Sequence, residues 1–175
     1  MYLLTPSLLN SWSYAIESGT MEGFLPVLHR EPVGKTEAMI KGDEFEEWAI
    51  QNIEELKGGS YQVKVYKEHG NYLLYGRVDV LKAGIVYDVK FTNRYEVGKF
   101  YGNYQTNIYL EVVPEAKKMV YIIGNNSSIE NSNFFREEYT RQEIEPIDKI
   151  LNDFEQWLNV TGLDAIYQEK WRSRA

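Results

Sequence analysis

No cysteine occurs in the 175 residues. That absence excludes disulfides, thiolate zinc centres and cysteine-held iron–sulfur clusters. Histidine is nearly as scarce. His29 and His69 are the only two, they lie far apart without ligand spacing, and each is expected at the surface or in a loop. No apolar run approaches the ~20 residues that span a bilayer. The opening MYLLTPSLLNSW has no basic leader and Pro6 breaks its apolar run, so no secretory signal is expected and a cytoplasmic protein is. Neither an internal repeat nor a low-complexity segment is visible.

The composition, 43% hydrophobic with 26% charged residues, is that of a folded chain, most economically one domain over 1–175. Net charge is −7, which at first sight disfavours a nucleic-acid partner. The distribution says otherwise. Residues 60–101 hold seven basic side chains against four acidic ones, a local +3 that leaves −10 for the remainder. Exposed charges are screened beyond about 8 Å, so this local surface decides what it attracts.

Periodicity gives the coarse order of elements. Thr5-Pro6-Ser7 followed by Leu8, Leu9, Trp12 and Ile16 predicts a capped amphipathic helix. Residues 19–35, with three glycines and two prolines, read as a loop or covering arm. Gly34-Lys35-Thr36 resembles the end of a phosphate-binding loop, but His29 stands where the first glycine belongs and no strand precedes it, so that motif is rejected. A second helix is expected from Thr36 to Lys57, with a core stripe of Phe45, Trp48, Ala49, Ile53 and Leu56. Glu46 falls on or beside that inward face, as either a boundary residue or a ligand. Tyr61 to Lys67 alternates as a strand. A helix is expected from Phe100 to Val113, carrying Gln105 and Tyr109 one turn apart. Lys118 to Ile123 reads as a buried strand, 125–133 as a polar loop and Phe134 to Tyr139 as another strand. A capping box, Thr140-Arg141-Gln142-Glu143, predicts a helix to about Val160, and Leu163 to Trp171 a short terminal one.

The centre of the pattern is Tyr75 to Phe91, YGRVDVLKAGIVYDVKF. It reads as a hairpin with Gly84 in the turn, Val78, Val80, Ile85, Tyr87, Val89 and Phe91 on one face, and Arg77, Asp79, Asp88 and Lys90 on the other. An even connection, either Ala83-Gly84 or Lys82 to Ile85, sets Asp79 across from Asp88. Like charges placed so repel, and a cation is expected between them. Two carboxylates and a lysine on one spot suit a divalent-metal site for phosphodiester hydrolysis. A half-buried sheet with an ordinary wet face gives the same alternation.

The ordered set of Glu46, Asp79, Asp88-x-Lys90 and Gln105-x-x-x-Tyr109 resembles the PD-(D/E)XK nuclease superfamily. The QTNIY segment after YDVK makes it similar to the RecB-like and phage exonuclease-like branch. The similarity covers about 36–110 plus the TPSLLNSW opening. It implies a restriction-endonuclease-like α/β core, about 36–140, in which a central mixed sheet in α-β-β-β-α-β order is flanked by helices, with the terminal helices packed on it. It also implies Mg²⁺- or Mn²⁺-dependent cleavage of DNA by an exonuclease or end-processing enzyme of recombination or repair. Asp79 and Asp88 would be metal carboxylates beside the Val89 carbonyl, Glu46 a further ligand and Lys90 the catalytic lysine. Gln105 and Tyr109 would position the lysine and the DNA backbone. Arg94, Lys99, Tyr101 and Tyr104 are candidates for nucleic-acid contact.

Val78 replaces the family's proline, and glutamate stands where RecB-like members often carry histidine. With no large DNA-gripping domain, processivity would come from a homo-oligomer or a recombination or replication partner. A catalytically inactive adaptor on the same fold, binding nucleic acid or a partner protein, is the rival from another class.

Overall fold

The computed structural model describes residues 1–131 and 133–174, the side chains of Ile129 and Glu130 apart. Its first element, β1 (Tyr2–Leu4), is too short for alternation to signal. Helix α1 (Pro6–Ser18) follows, with the Thr5 hydroxyl accepting from Leu8 N at 3.3 Å and Pro6 in the first turn, where its missing N–H is harmless. The expected loop at 19–35 contains a short helix, α2 (Phe24–Leu28). Helix α3 (Glu37–Asn52) stops short of Lys57 because Ile53 turns extended, and Leu56 reaches the core from a separate 3₁₀ turn.

Strands β2 (Ser60–His69), β3 (Tyr72–Lys82) and β4 (Ile85–Phe91) form the expected meander. Ala83 and Gly84 alone connect β3 to β4. Both have positive φ, as a two-residue type I′ turn requires. Helix α4 (Tyr104–Val112) begins later than Phe100 because Gly98 and Gly102 hold left-handed turns and Asn103 caps the helix, accepting from Gln105 N at 2.9 Å. Strand β5 (Lys118–Gly124), the single-turn helix α5 (Ser128–Asn131) and β6 (Phe135–Tyr139) follow. Ser132, in the polar loop expected over 125–133, lies outside the described residues. The capping box at Thr140 is present but closes a 3₁₀ turn. Helix α6 (Ile147–Thr161) starts only after Pro146, which disfavours helical backbone at the residue before it. Helix α7 is Asp164–Lys170.

The sheet runs β1-β3-β4-β5-β6, with β2 also on β3, and mixes parallel pairs (β1–β3, β4–β5) with antiparallel ones. Strand β2 lies along one whole edge of β3. On the other edge β1 pairs at Tyr72–Leu74 and β4 at Val80–Lys82. Two strands therefore share one edge, and β3 between Leu74 and Val80 is left unpaired on that side. One core, centred on α1, α4 and α6, covers one face of the sheet, and a cluster of Phe45 and Ala49 from α3 with Leu56 from the 3₁₀ turn covers the other. This is a helix–sheet–helix sandwich, the fold class expected.

The face assignment for β3 needs correction. Ile85, Tyr87, Val89 and Phe91 do face α3 together. Val78, however, joins the α4 side and Val80 the α3 side, so alternation slips between them. The slip coincides with Gln62, opposite Asp79 in the β2–β3 register, whose backbone is left-handed at φ 52. Sequence periodicity has no means of announcing such an irregularity.

Gly124, closing β5, lies against the fully buried ring of Phe45, and a Cβ there would overlap it. Gly124→Ala is expected to destabilise the protein by about 1–3 kcal/mol through overpacking, read as a lower urea midpoint at unchanged slope.

Candidate active site

The unpaired stretch of β3 opens into a cavity of about 540 Å³ lined by Glu46, Arg77, Asp79, Asp88, Val89, Lys90, Gln105 and Tyr109, with Thr5 and Ser7 of the α1 entry at its rim. Four elements supply these groups. Asp79 sits at the slip in β3, buried, where the strands separate: its Oδ2 accepts from Val89 N at 2.8 Å in place of a ladder bond. Asp88 projects from β4 toward α4 and is almost fully buried. Gln105 Nε2 donates to Asp88 Oδ1 at 2.9 Å and lies 3.3 Å from the Tyr109 hydroxyl, which itself donates to Arg77 O at 2.8 Å. The Gln-x-x-x-Tyr pair thus ties α4 to both strands of the fork. Gly76 permits this, since a Cβ there would lie 2.8 Å from the Tyr109 ring.

Lys90, two residues along the same face of β4, brings Nζ to 2.7 Å from Asp88 Oδ2. The same oxygen has no hydrogen-bond donor. These observations are compatible because the ammonium is close but off the bonding direction, leaving a carboxylate oxygen neutralised in charge and unsatisfied in hydrogen bonding. Glu46 enters from α3. Gln62 Nε2 donates to Glu46 and reaches Asp79 Oδ1 at 3.4 Å, bridging two carboxylates with one amide.

Crowded carboxylates hold their protons. Burial first, then the negative charge of Asp88 and Glu46, pushes the Asp79 carboxyl up to about 8, against the Val89 N–H that favours its ionised form. Burial and Asp88 also raise Glu46, with Arg77 opposing. Burial pushes the Tyr109 phenol well above its ordinary range, so it stays a donor. Among the described residues no three His, Cys, Asp or Glu side chains are drawn close enough to ligate an ion without rearrangement. The Gln62 amide bonds Glu46 and Asp79, and the Lys90 ammonium lies beside Asp88 Oδ2 without bonding it.

The other nominated residues lie further out. Arg94 is exposed and pairs with Glu96 at 3.2 Å. Lys99 Nζ donates to Thr92 Oγ1 at 2.6 Å and Arg94 O at 2.8 Å. Both line a neighbouring hollow with Lys41 that shares Phe91 with the carboxylate cavity. Tyr101 and Tyr104 line a different hollow, and Tyr104 stacks on Trp12 at 5.9 Å as part of the packing. Two residues that sequence reasoning did not single out organise the region. Gln62 is one, visible only through the register that sets it opposite Asp79. Glu137 is the other. This buried carboxylate accepts from Tyr95 Oη, Gly98 N, Phe100 N and Tyr139 Oη, pinning the loop that carries Arg94 and Lys99.

A carboxyl whose proton affinity is higher folded than unfolded stabilises the fold below its unfolded value near 4 and loses that contribution as pH rises toward 8. In EDTA, Asp79→Asn is therefore expected to melt like the parent below pH 4. It should then gain over it progressively to pH 8, by several degrees, given about 2–4 °C per kcal/mol at this size. Paired thermal melts across pH check this, and a constant difference between the two proteins would rule it out.

No family model matches the sequence, and no curated protein matches it. Solved structures do. SSO0001 matches with TM-score 0.59 at 14% identity, over 91% of this chain and 77% of its own. LHK-Exo in complex with dAMP matches with TM-score 0.59 at 15% identity, over 95% and 90%. A second structure of this alkaline exonuclease, from Laribacter hongkongensis, gives 0.55 at 14% over the same shares. At these identities the likeness is one of architecture. The chain has the α/β fold shared by SSO0001 and the alkaline exonuclease LHK-Exo, a central sheet flanked by helices as the sequence led one to expect.

Proposed function

We propose that the protein is a metal-dependent deoxyribonuclease that hydrolyses phosphodiester bonds, acting as an exonuclease or end-processing enzyme of recombination or repair. One observation carries the reading: Glu46, Asp79, Asp88 and Lys90, from α3, β3 and β4, line a single cavity with a buried carboxylate oxygen still lacking a donor. The fold shared with an alkaline exonuclease supports it.

The donor set fits a hard divalent cation. Its oxygens are carboxylates, two of them raised in proton affinity by burial and by one another's negative charge, and Val89 lines the same space. Glu46, Asp79, Asp88 and the Val89 carbonyl would hold Mg²⁺ or Mn²⁺. When bound, such an ion supplies Lewis-acid stabilisation of a phosphate under attack by water.

The remaining roles belong to the chain. Lys90 holds a positive charge beside the phosphate and offsets the negative charge that develops in the transition state. Gln105 fixes the Asp88 rotamer through Oδ1 and leaves Oδ2 beside the Lys90 ammonium. Tyr109 ties Arg77 O and Gln105 together and keeps α4 seated on the fork. Gln62 keeps Glu46 and Asp79 at a fixed separation. Arg94 and Lys99, in the adjoining hollow, present cations to the phosphates flanking the cut.

End-labelled single- and double-stranded DNA, incubated with Mg²⁺, Mn²⁺ or EDTA, tests the proposal. Cleavage is expected with either ion and none with EDTA. Asp88→Ala and Lys90→Ala should lower the rate by about 10²–10³ or more, with unchanged circular dichroism. Cleavage at the parent's rate by either folded variant, or by the parent in EDTA, would overturn it.

A further inference from the structure

The face of the β2–β3 hairpin that looks toward α3 carries a row of side chains the catalytic reading does not use. Two cross-strand pairs, Lys64 with Arg77 and Tyr66 with Tyr75, extend away from Gln62 and Asp79 in order. Val63, Val65, Leu74, Gly76 and Val78, on the opposite face, pack into the α4-side core. Helix α3 sits over β4 and leaves the hairpin face open. Tyr66 is 58% exposed, Tyr75 half-buried, and the two rings lie 4.8 Å apart with 36° between their planes. Lys64 and Arg77 are exposed, and among the described residues neither enters an ion pair.

We infer that this face is a track for the single strand flanking the scissile phosphate, with Tyr66 and Tyr75 as its base-stacking platform and Lys64 and Arg77 as its phosphate contacts. The inference rests on the nuclease reading and adds to it the form of the substrate. Continuity places the strand. Tyr75 and Arg77 line the carboxylate cavity themselves, and Tyr75 stands four positions before Asp79 on β3, roughly 13 Å along the strand. Charge selects the occupant. In a chain of net charge −7 this face offers two cations beside the aromatic pair; its acidic neighbours are Glu68 at the far end and, across the hollow that Arg77 lines, Asp43, Glu46 and Glu47 of α3. Aromatic rings with cations between them hold unpaired bases without sequence preference, because every base has a π-face. A duplex keeps its bases stacked inside and offers this face its backbone alone.

The test is binding, read by fluorescence anisotropy of a labelled oligothymidylate on the full chain in EDTA. Replacing Tyr66, which lies outside the carboxylate cavity, by Ser is expected to weaken binding about five-fold or more, with Tyr66→Phe close to the parent. Tyr66→Leu keeps an apolar side chain against Tyr75 without a π-face and should behave like the Ser variant, so a folding defect of the latter leaves the question answerable. Lys64→Gln should lower the slope of log affinity against log salt by about 0.7. A duplex of equal length should be much less sensitive to Tyr66→Ser. Parent-like affinity in both Tyr66→Ser and Tyr66→Leu, an equal loss in Tyr66→Phe, or an equal loss on duplex overturns the track. If the parent still cleaves DNA in that event, the nuclease reading stands without it. A parent that neither binds nor cleaves overturns both.

Discussion

Two strands compete for one edge of β3, and the structure of the site follows from how that competition is resolved. Parallel β1 takes the first residues of the edge and antiparallel β4 the last, so the middle must leave its backbone groups without ladder partners. Buried peptide groups need hydrogen bonds from somewhere. At this fork they come from side chains: the Tyr109 hydroxyl serves Arg77 O, and Asp79 takes the N–H of Val89 on the departing strand. The concavity and the polar residues lining it thus have a common origin.

The same geometry explains how acidic groups from opposite faces of a sheet meet. Asp88 points toward α4 and Glu46 descends from α3 on the other side. A regular strand between them would keep them apart. The slip at Asp79 and the left-handed Gln62 opposite break the partition, and the Gln62 amide then joins the two sides. Left-handed backbone costs a non-glycine residue roughly 1–2 kcal/mol. Here it is offset in part by the hydrogen bonds of the Gln62 side chain to Glu46 and Asp79. The mutual repulsion of Asp79, Asp88 and Glu46 is held in place by packing and by the amine of Lys90.

Much of this was legible from local rules. The meander, the two-residue turn at Ala83-Gly84 and the shared face of Ile85, Tyr87, Val89 and Phe91 follow from alternation and turn chemistry. So does Lys90 beside Asp88, since both lie on one side of β4. What escaped depends on distant partners. Strand β1 exists because Tyr72–Leu74 has a free edge. The placement of Val78 on the α4 side follows from an irregularity seated in another strand. Helix α3 ends at Asn52, despite apolar spacing through Leu56, because the chain must turn to enter β2. Gln62 and Glu137 carry no local signature at all: one is defined by register, the other by a loop folding back over it.

Glu137 belongs to β6, the outermost strand of the sheet, a position usually tolerant of change. Its two oxygens receive four donors, three of them from the loop after β4, with no cation among them. The segment bearing Arg94 and Lys99 is therefore moored to the far border of the molecule. Drift at that border would be felt first in where Arg94 and Lys99 stand, before it reached the carboxylate cavity.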